Sequence, residues 1–274
     1  MPEGPEIKRA ADRIAKAVAR KPIEEVYFAF EHLKPYEKDL ARAQITSVQP
    51  RGKALLTHFN NDLAIYTHNQ LYGKWEIKRA RNYPETKRQL RLAIHTKSKS
   101  ALLYSASDIE VLYPSDIDLH PFLSKLGPDV LDKAVTPEQV SQRLNSDRFR
   151  RRGLASLLLD QHCLCGLGNY LRSEVLFVAG VHPSFRPKDC TPAQLEILGK
   201  AAIALPRQSY ETGGITNDLT RAQQMKADGY SRRVYRYWVF ARQHQPCYQC
   251  GTGILKETFA GRRLYYCPTC QPQG

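Results

Sequence analysis

The first clear pattern of hydrophobic positions lies near the start of the chain. Apolar residues recur there every three or four positions: Ile7, Ala10, Ala11, Ile14 and Val18. This period is that of a helix with one buried face. Pro5 suits the first turn of a helix, because the amide hydrogen that proline lacks has no helical partner there. The sequence therefore predicts a helix over residues 4–18.

From about residue 23 to residue 111 the pattern changes to short runs of β-favouring residues. The runs KALLTHF and LAIYTH flank the turn NND, and the runs LRLAIHT and ALLYSA flank KSKS. Two apolar runs joined by a short polar turn are typical of a β-hairpin. We therefore predict an antiparallel β-sandwich with the first helix packed against it.

The second half of the chain has a helical pattern, which follows the linker-like segment HPFLSKLGPDVL. Four segments carry this pattern: TPEQVSQRLN, RGLASLLLDQ, GNYLRSEVLFVAG and TPAQLEILGKAAIAL. Two of them begin with Thr-Pro, which places a capping residue before a proline in the first turn. The polar segment over residues 211–231 has no clear period, and we predict that it is a mobile loop.

Composition and charge narrow the class of protein. Of the 274 residues, 42% are hydrophobic and 25% are charged, which is typical of a folded chain rather than a disordered one. The net charge of +14 favours a polyanionic partner, either a nucleic acid or an anionic membrane surface. The chain has no apolar run of about 18 residues and no signal-peptide pattern at its start. We therefore expect a cytoplasmic protein that binds nucleic acid and no membrane.

Four of the seven cysteines form a metal-binding pattern near the end of the chain. Cys247 and Cys250 make one CxxC pair, and Cys267 and Cys270 make another. Each pair offers two thiolates from a tight turn, and two pairs complete the tetrahedral shell that zinc prefers. A chance arrangement or a redox function is the alternative. Because a four-cysteine shell leaves no ligand position for water, we predict one structural Zn²⁺ ion.

Two further segments are candidates for contacts with phosphate. The residues between the cysteine pairs alternate like a β-hairpin, whose tip AGRR carries Arg262 and Arg263. In the segment GLGNYLRSE, the glycines leave main-chain amides accessible at a helix start, with Asn169 as the predicted capping residue. The alternatives are a solvated arginine pair at the tip and glycines that only permit a tight turn.

The first residues, MPEGPE, have a pattern that suits catalysis by an amine. Removal of Met1 would expose the amine of Pro2, beside Glu3 and one helical turn before Glu6. An α-amine has a reference pKa of about 7.7–8.0, so roughly a tenth of it is neutral and nucleophilic at pH 7. Attack on a sugar C1′ would release a base and leave an iminium, with Glu3 as the general acid. Two nearby carboxylates also resist simultaneous ionisation. The alternative is a helix N-terminus that merely carries acidic residues.

Together these motifs resemble the formamidopyrimidine-DNA glycosylase/endonuclease VIII family, most closely its bacterial endonuclease VIII branch. The motifs are PEGPE, RGKALL with Lys53, GLGNYLRSE and the two CxxC pairs, and they span nearly the whole chain in the family's order. The resemblance implies an α+β fold with three parts. These are a catalytic β-sandwich domain with flanking helices over 1–124, a helix-two-turn-helix DNA-binding domain with a mobile loop over 125–234, and a zinc-finger hairpin over 235–274.

The resemblance also implies the roles of individual residues. Pro2 is the nucleophile that forms a Schiff base, Glu3 the acid and Glu6 an auxiliary proton carrier. Lys53 is a second proton donor for β-elimination, and Arg262 grips phosphate and assists the δ step. Asn169 and Lys125 bind phosphate, although an arginine is typical at the position of Lys125. The implied activity is excision of oxidised bases followed by strand nicking through β,δ-elimination, by a monomer acting on double-stranded DNA that carries an oxidised base or an abasic site.

The branch of the family depends on the segment HNQLYGKW. By resemblance, Gln70, Leu71 and Tyr72 form the wedge that fills the gap left by an everted base, as in the branch that removes oxidised pyrimidines. The purine-repair branch carries a methionine there and an Arg-Phe pair on another loop, where this chain has SASDIE. A purine-lesion glycosylase and a non-catalytic zinc protein that binds nucleic acid remain the alternative functions.

Overall fold

The computed structural model describes residues 2–273. Met1, whose removal the catalytic hypothesis requires, lies outside this range, as does Gly274. The chain divides into two compact units: Pro2 and Glu6–Lys125 belong to the first, whereas Glu3–Pro5 and the residues from Leu126 onward belong to the second. The predicted boundary between residues 234 and 235 stays a prediction.

The first unit is built from strands and a few short helices. Its helices are α1 (Gly4–Val18, whose first two residues belong to the second unit), α2 (Glu37–Ala41) and α3 (Pro114–Leu119), with 3₁₀ turns at Glu31–Tyr36 and Leu123–Lys125. Its strands are β1 (Ile23–Phe28), β2 (Ile45–Arg51), β3 (Ala54–Phe59), β4 (Ala64–His68), β5 (Lys74–Arg79), β6 (Leu90–Thr96), β7 (Lys99–Tyr104) and β8 (Asp108–Leu112). The predicted helix over 4–18 and both predicted hairpins, β3–β4 and β6–β7, are present.

These strands form two four-stranded antiparallel sheets, in the orders β1-β6-β7-β5 and β2-β3-β4-β8. The inner faces of both sheets contribute to one apolar core, as Leu92 does from β6 and Ile65 from β4. Ile7 and Ile14 of α1 are buried in the same core, as the helical pattern of α1 requires. The predicted β-sandwich with a packed helix is therefore confirmed.

The second unit is mainly helical and ends in a hairpin. Its helices are α4 (Pro137–Leu144), α5 (Leu154–Leu157), α6 (Asn169–Val178), α7 (Pro192–Glu211), α8 (Leu219–Ala227) and α9 (Arg232–Tyr235), followed by the strands β9 (Leu255–Phe259) and β10 (Arg262–Tyr266). Thr136 and Thr191 cap α4 and α7 with their side chains, as the two Thr-Pro starts predict. Among the described residues, no helix has both the length and the apolar character needed to cross a membrane.

The segment over 211–231 differs from the predicted loop, because it contains α8. Asp218 accepts a hydrogen bond from the amide of Arg221 and so caps the helix. Ala222 is the one fully buried residue of α8, so the helix has almost no apolar stripe for a periodicity argument to find. α7 also continues past the predicted end near Leu205 and through Pro206 to Glu211.

Candidate active-site residues and metal centre

Glu3 lies in the second unit, where the start of α6 binds its carboxylate. Its side chain is almost fully buried, with 3% of its surface exposed. Oε1 accepts a hydrogen bond from the amide of Tyr170 at 2.8 Å, and Oε2 accepts one from the amide of Leu171 at 3.2 Å. Amides in the first turn of a helix have no helical acceptor and attract a negative charge. The helix start therefore holds Glu3 in one position by two bonds.

The carboxylate thus occupies two amides at this helix start, and the predicted phosphate contact through Gly166, Gly168 and Asn169 stays a prediction. The glycines of GLGN also make room for residues 3–5. The amide of Gly4 donates to the carbonyl of Gly166 at 2.7 Å. A Cβ atom on Gly168 would lie 2.3 Å from Cδ of Glu3, closer than real atoms approach. Gly168 is also the N-cap, and Asn169 is the first helical residue, so the prediction of Asn169 as the cap is wrong.

Pro2 and Glu6 lie in the first unit. Pro2 is half-buried and precedes α1. The carboxylate of Glu6 accepts a hydrogen bond from Nη2 of Arg9 at 2.7 Å, three residues along the helix. The predicted mutual effect of Glu3 and Glu6 on their ionisation stays a prediction.

Lys53 lies in the tight turn between β2 and β3. Gly52 enables this turn with a φ of 59°, and Arg51 pairs with Ala54 across it. The side chain of Lys53 is buried, which is uncommon for a lysine. Burial lowers the pKa of His68 on β4; the charge of Asp108 opposes this effect, and the smaller influence of the Lys53 charge adds to it. The ammonium group is therefore close enough to influence His68 electrostatically.

The predicted wedge forms an exposed loop between β4 and β5. Leu71 is 55% exposed and Tyr72 is 67% exposed, which is unusual for large apolar side chains. The amide of Gly73 closes the loop by donating to the carbonyl of Asn69 at 2.7 Å. The first unit thus presents two large apolar groups at one tip.

Asn169 and Arg172 connect the start of α6 to the hairpin. The side-chain amide of Asn169 donates to the carbonyl of Arg263 at 2.8 Å, and its Oδ1 accepts from Nη2 of Arg172 at 2.6 Å. Nη2 of Arg172 also contacts the carbonyl of Arg263 at 3.2 Å. Arg172 is fully buried, and burial together with the nearby charge of Arg262 lowers its pKa to about 10. Asn169 therefore has a structural partner within the chain as well as its predicted phosphate role.

Arg262 and Arg263 begin β10 immediately after the hairpin tip. Ala260 and Gly261 form the tip with φ values of 50° and 72°, which is the left-handed geometry of a two-residue hairpin turn. Both arginine side chains are exposed. The contacts from α6 to the carbonyls of Arg262 and Arg263 hold the backbone behind them, so the two guanidinium groups project from a fixed base.

The four cysteines of the two CxxC pairs come together, as predicted. Their sulfur atoms all lie within 4.8 Å of one another. The Sγ atoms of Cys247 and Cys270 are 3.8 Å apart, and those of Cys250 and Cys267 are 3.4 Å apart. A tetrahedron with Zn–S bonds of about 2.3 Å requires sulfur atoms about 3.8 Å apart. The donor set therefore fits one structural Zn²⁺, and the apolar cluster beneath it includes Phe177 and Ile254.

The remaining predicted phosphate contacts are on the surface. Lys125 is exposed at the end of the 3₁₀ turn Leu123–Lys125, where the first unit ends. In the basic run RFRRRG, Arg152 is paired with Asp160 at 2.7 Å. Arg148 packs over the ring of the buried Phe149 at 5.2 Å. Part of this run therefore serves the chain's own packing.

Sequence reasoning missed two buried charges on α6, Arg172 and Glu174. The carboxylate of Glu174 is fully buried and accepts four hydrogen bonds: from Thr216 Oγ1 at 2.5 Å and from the amides of Trp238 at 2.8 Å and of Val239 and Phe240 at 2.9 Å. Burial, the largest influence, raises the pKa of Glu174, and these donors oppose that rise. The sequence could have indicated them, because an Arg and a Glu stand within an otherwise apolar helix. Burying an unpaired charge costs free energy, so each of these residues needs a partner elsewhere in the chain.

Comparison with known families finds three matching models. The N-terminal domain of formamidopyrimidine-DNA glycosylase matches residues 1–107, and its H2TH domain matches residues 126–220. The zinc finger found in FPG and IleRS matches residues 245–273. Together these models match more than half of the chain.

Curated relatives and solved structures agree with these matches. The chain is 49% identical over 271 residues to Endonuclease 8 of Escherichia coli (strain K12 / DH10B), covering 99% of this chain and 100% of that protein. It is 48% identical to Endonuclease 8 of Shigella sonnei over the same shares. A complex of Lactococcus lactis Fpg with DNA containing an oxidised pyrimidine has a TM-score of 0.81 at 20% identity, covering 99% of this chain and 100% of that one. At that identity the likeness shows the fold alone.

Proposed function

The chain belongs to the formamidopyrimidine-DNA glycosylase/endonuclease VIII family of base-excision repair DNA glycosylases, and from that premise we propose that it removes oxidised pyrimidines from duplex DNA and nicks the strand by β,δ-elimination. The observation that carries the proposal is the position of Glu3. A carboxylate next to Pro2 in the chain is buried and held by two amides of α6. A fixed carboxylate beside an amine is the pair that this chemistry needs.

In the proposed reaction, the neutral amine of Pro2, exposed by removal of Met1, attacks C1′ of the damaged nucleotide. The glycosidic bond breaks, and the departing base or the ring oxygen takes a proton from Glu3. Because the two amides favour an anionic carboxylate, Glu3 first receives that proton, and the Pro2 ammonium is a suitable source. The product is an iminium between Pro2 and C1′, which is cationic without protonation because the amine is secondary.

Elimination follows from the iminium, which withdraws electrons and acidifies the C2′ proton. Loss of that proton expels the 3′ phosphate in the β step, with Lys53 as a proton donor and Glu6 as an auxiliary proton carrier. Burial of Lys53 excludes water from its ammonium group and strengthens its electrostatic influence. Arg262, at the exposed hairpin tip, is proposed to bind phosphate and to assist the δ step that expels the 5′ phosphate.

Contacts with the DNA backbone are proposed for Asn169, Arg262 and Lys125. The net charge of +14 supports a phosphate-binding surface. The structural Zn²⁺ would hold the segment on which the hairpin stands, and Asn169 and Arg172 hold the hairpin from the side of α6. Gln70, Leu71 and Tyr72 are proposed to enter the gap left by the everted base. Two exposed apolar groups at one tip suit that task, because they replace lost base stacking.

Borohydride trapping on a duplex containing thymine glycol tests the nucleophile. The wild-type protein should form a covalent adduct, and Pro2→Gly should reduce adduct formation by at least a hundredfold. Pro22→Gly is the matched control, since Pro22 is an exposed proline of the first unit. An undiminished adduct with Pro2→Gly would show that another amine reacts.

Single-turnover rates test the substrate class. We expect faster excision of thymine glycol opposite adenine than of 8-oxoguanine opposite cytosine. A preference for 8-oxoguanine would assign the chain to purine repair. Failure to nick abasic DNA without magnesium would instead support a protein that only binds nucleic acid, because the lyase reaction needs no metal-activated water.

A further inference from the structure

α8 lacks the apolar side that normally fixes a short helix to a protein. It has nine residues, and a helix of that length is marginal in water without contacts to the rest of the chain. Ala222 is its one buried residue, Arg221 and Met225 are half-buried, and the others are exposed. These three side chains must therefore supply most of the contacts that hold α8.

The side chain of Arg221 contacts two aromatic rings. Its guanidinium carbon lies 4.9 Å from the centroid of the Trp238 ring and 5.2 Å from that of the Tyr248 ring. A cation within about 6 Å of a ring centroid is attracted by the electrons of the ring, most strongly where water is excluded. Nη1 of Arg221 is buried, and among residues 2–273 it has no hydrogen-bond partner. The ring contacts therefore anchor Arg221, and with it α8.

One of the two rings belongs to the first CxxC pair of the zinc site. Tyr248 directly follows Cys247, and Cys250 is two residues further on. The amide of Gln249 donates to Sγ of Cys247 at 3.4 Å, and the amide of Gly251 donates to the carbonyl of Cys247 at 2.9 Å. The turn thus closes around a sulfur atom, and a Zn²⁺ ion bound to both cysteines would fix the backbone on either side of Tyr248.

The two rings are held in different ways. The amide of Trp238 donates to the buried carboxylate of Glu174 at 2.8 Å, so α6 holds the backbone of that residue. The centroid of the Tyr248 ring lies 3.4 Å from the guanidinium carbon of the buried Arg242, and the Tyr248 hydroxyl donates to the carbonyl of Val234 in α9 at 2.9 Å. Tyr248 is therefore the link from the zinc ligands to both α8 and α9.

We propose that α8 is a zinc-dependent helix, which zinc binding at the first CxxC pair orders through the contact between Tyr248 and Arg221. Without the ion, Tyr248 loses its fixed position, and Arg221 loses one of its two aromatic contacts. The remaining contacts of Arg221, Ala222 and Met225 are too few to keep nine residues helical. The zinc site thus controls a helix that carries none of its ligands.

Hydrogen–deuterium exchange of the full chain tests the proposal, with the amides of residues 222–228 as the readout. Removal of zinc with a chelator should raise their exchange rates at least tenfold, while the amides of α7 change less than twofold. Zinc-loaded Arg221→Gln should show the same acceleration with its metal retained, because glutamine has a similar helix propensity but no charge. Chelation should then add less than a twofold change, since the contact through which zinc acts is already lost.

Two variants serve as controls. Lys226→Gln removes a charge from the exposed side of α8, and Tyr248→Phe keeps the aromatic ring, so both should retain the wild-type exchange rates. Wild-type rates in zinc-loaded Arg221→Gln, or unchanged rates after chelation, would overturn the inference. Equal acceleration in α7 on chelation would also overturn it, since the ion would then hold the whole unit. The experiment uses no DNA, so a failure here leaves the proposed function intact.

Discussion

Glu3 and Glu174 are two buried carboxylates bound by main-chain amides in the same unit, yet their surroundings suit different tasks. Glu3 has two amide donors, at the start of α6. Glu174, in the middle of that helix, has three amide donors and the hydroxyl of Thr216. A carboxylate has about four acceptor sites, so the four donors around Glu174 saturate it.

The comparison distinguishes a buried carboxylate whose surroundings suit catalysis from one whose surroundings suit stabilisation of the fold. Glu174 joins α6 to Thr216 and to the segment 238–240 that leads to the zinc ligands, and a proton on it would displace a donor. Glu3 follows Pro2 directly in the chain, and the proposed reaction requires it to pass on a proton. We therefore expect substitutions of Glu3 to change the reaction and substitutions of Glu174 to change stability.

The largest expected effect is that of Glu3→Gln on base excision. Glutamine keeps the shape of the side chain but cannot carry the proton, so the single-turnover excision rate should fall by about 10²–10⁴-fold. One of the two amides then faces an NH₂ group, so we also expect a loss of about 1–2 kcal/mol in the free energy of unfolding, smaller than that for Glu174→Gln. Glu85→Gln, on the exposed surface of the first unit, is the control. A variant with near-wild-type excision would remove Glu3 from the mechanism.

Glu174→Gln should have the opposite effect, a change in stability rather than in the reaction. It turns an NH₂ group toward donors that need an acceptor, and we expect a loss of about 3–5 kcal/mol in the free energy of unfolding. The chain has two tryptophans, and fluorescence of Trp238, isolated by replacing Trp75 with Phe, would report on this unit. Glu211→Gln, at the exposed end of α7, is the control. Unchanged stability would contradict the structural role.

Gly168→Ala tests whether the position of Glu3 matters as well as its charge. The new Cβ would lie 2.3 Å from Cδ of Glu3, so the carboxylate must move, while the extended backbone of Gly168 accepts alanine. We expect excision to slow by about ten- to a hundredfold, since misplacement of about 1 Å has such an effect. Gly253→Ala, whose new Cβ would have no atom within 4 Å, should leave the excision rate unchanged. Equal rates for both variants would contradict the argument.

The smallest expected effect is that of Thr216→Val. It removes one of the four donors to Glu174 and preserves the buried volume, so unfolding should cost about 1.5 kcal/mol less. Thr220→Val, on the exposed surface of α8, is the control for the β-branched substitution. A loss as large as that of Glu174→Gln would mean that the four donors do not act separately.

The sequence predicted the parts of this protein whose pattern is short-range. The periodicity of α1, the hairpins β3–β4 and β6–β7, the Thr-Pro helix starts and the four zinc ligands each depend on residues close together in the chain. Pro2 was a candidate from the first residues alone, whereas Lys53 and the loop with Gln70, Leu71 and Tyr72 were identified by resemblance. The roles of all of them stay predictions. α8 was missed because a mostly exposed helix has no apolar stripe.

Only the tertiary structure decided which groups meet across long stretches of chain. It brings the amide of Tyr170 to Glu3, 167 residues away, and the hydroxyl of Ser107 to Gln70, 37 residues away. The physical reason is that a turn or a CxxC pair of metal ligands depends on residues close together in the chain. The partner of a buried polar group depends instead on which segments pack together.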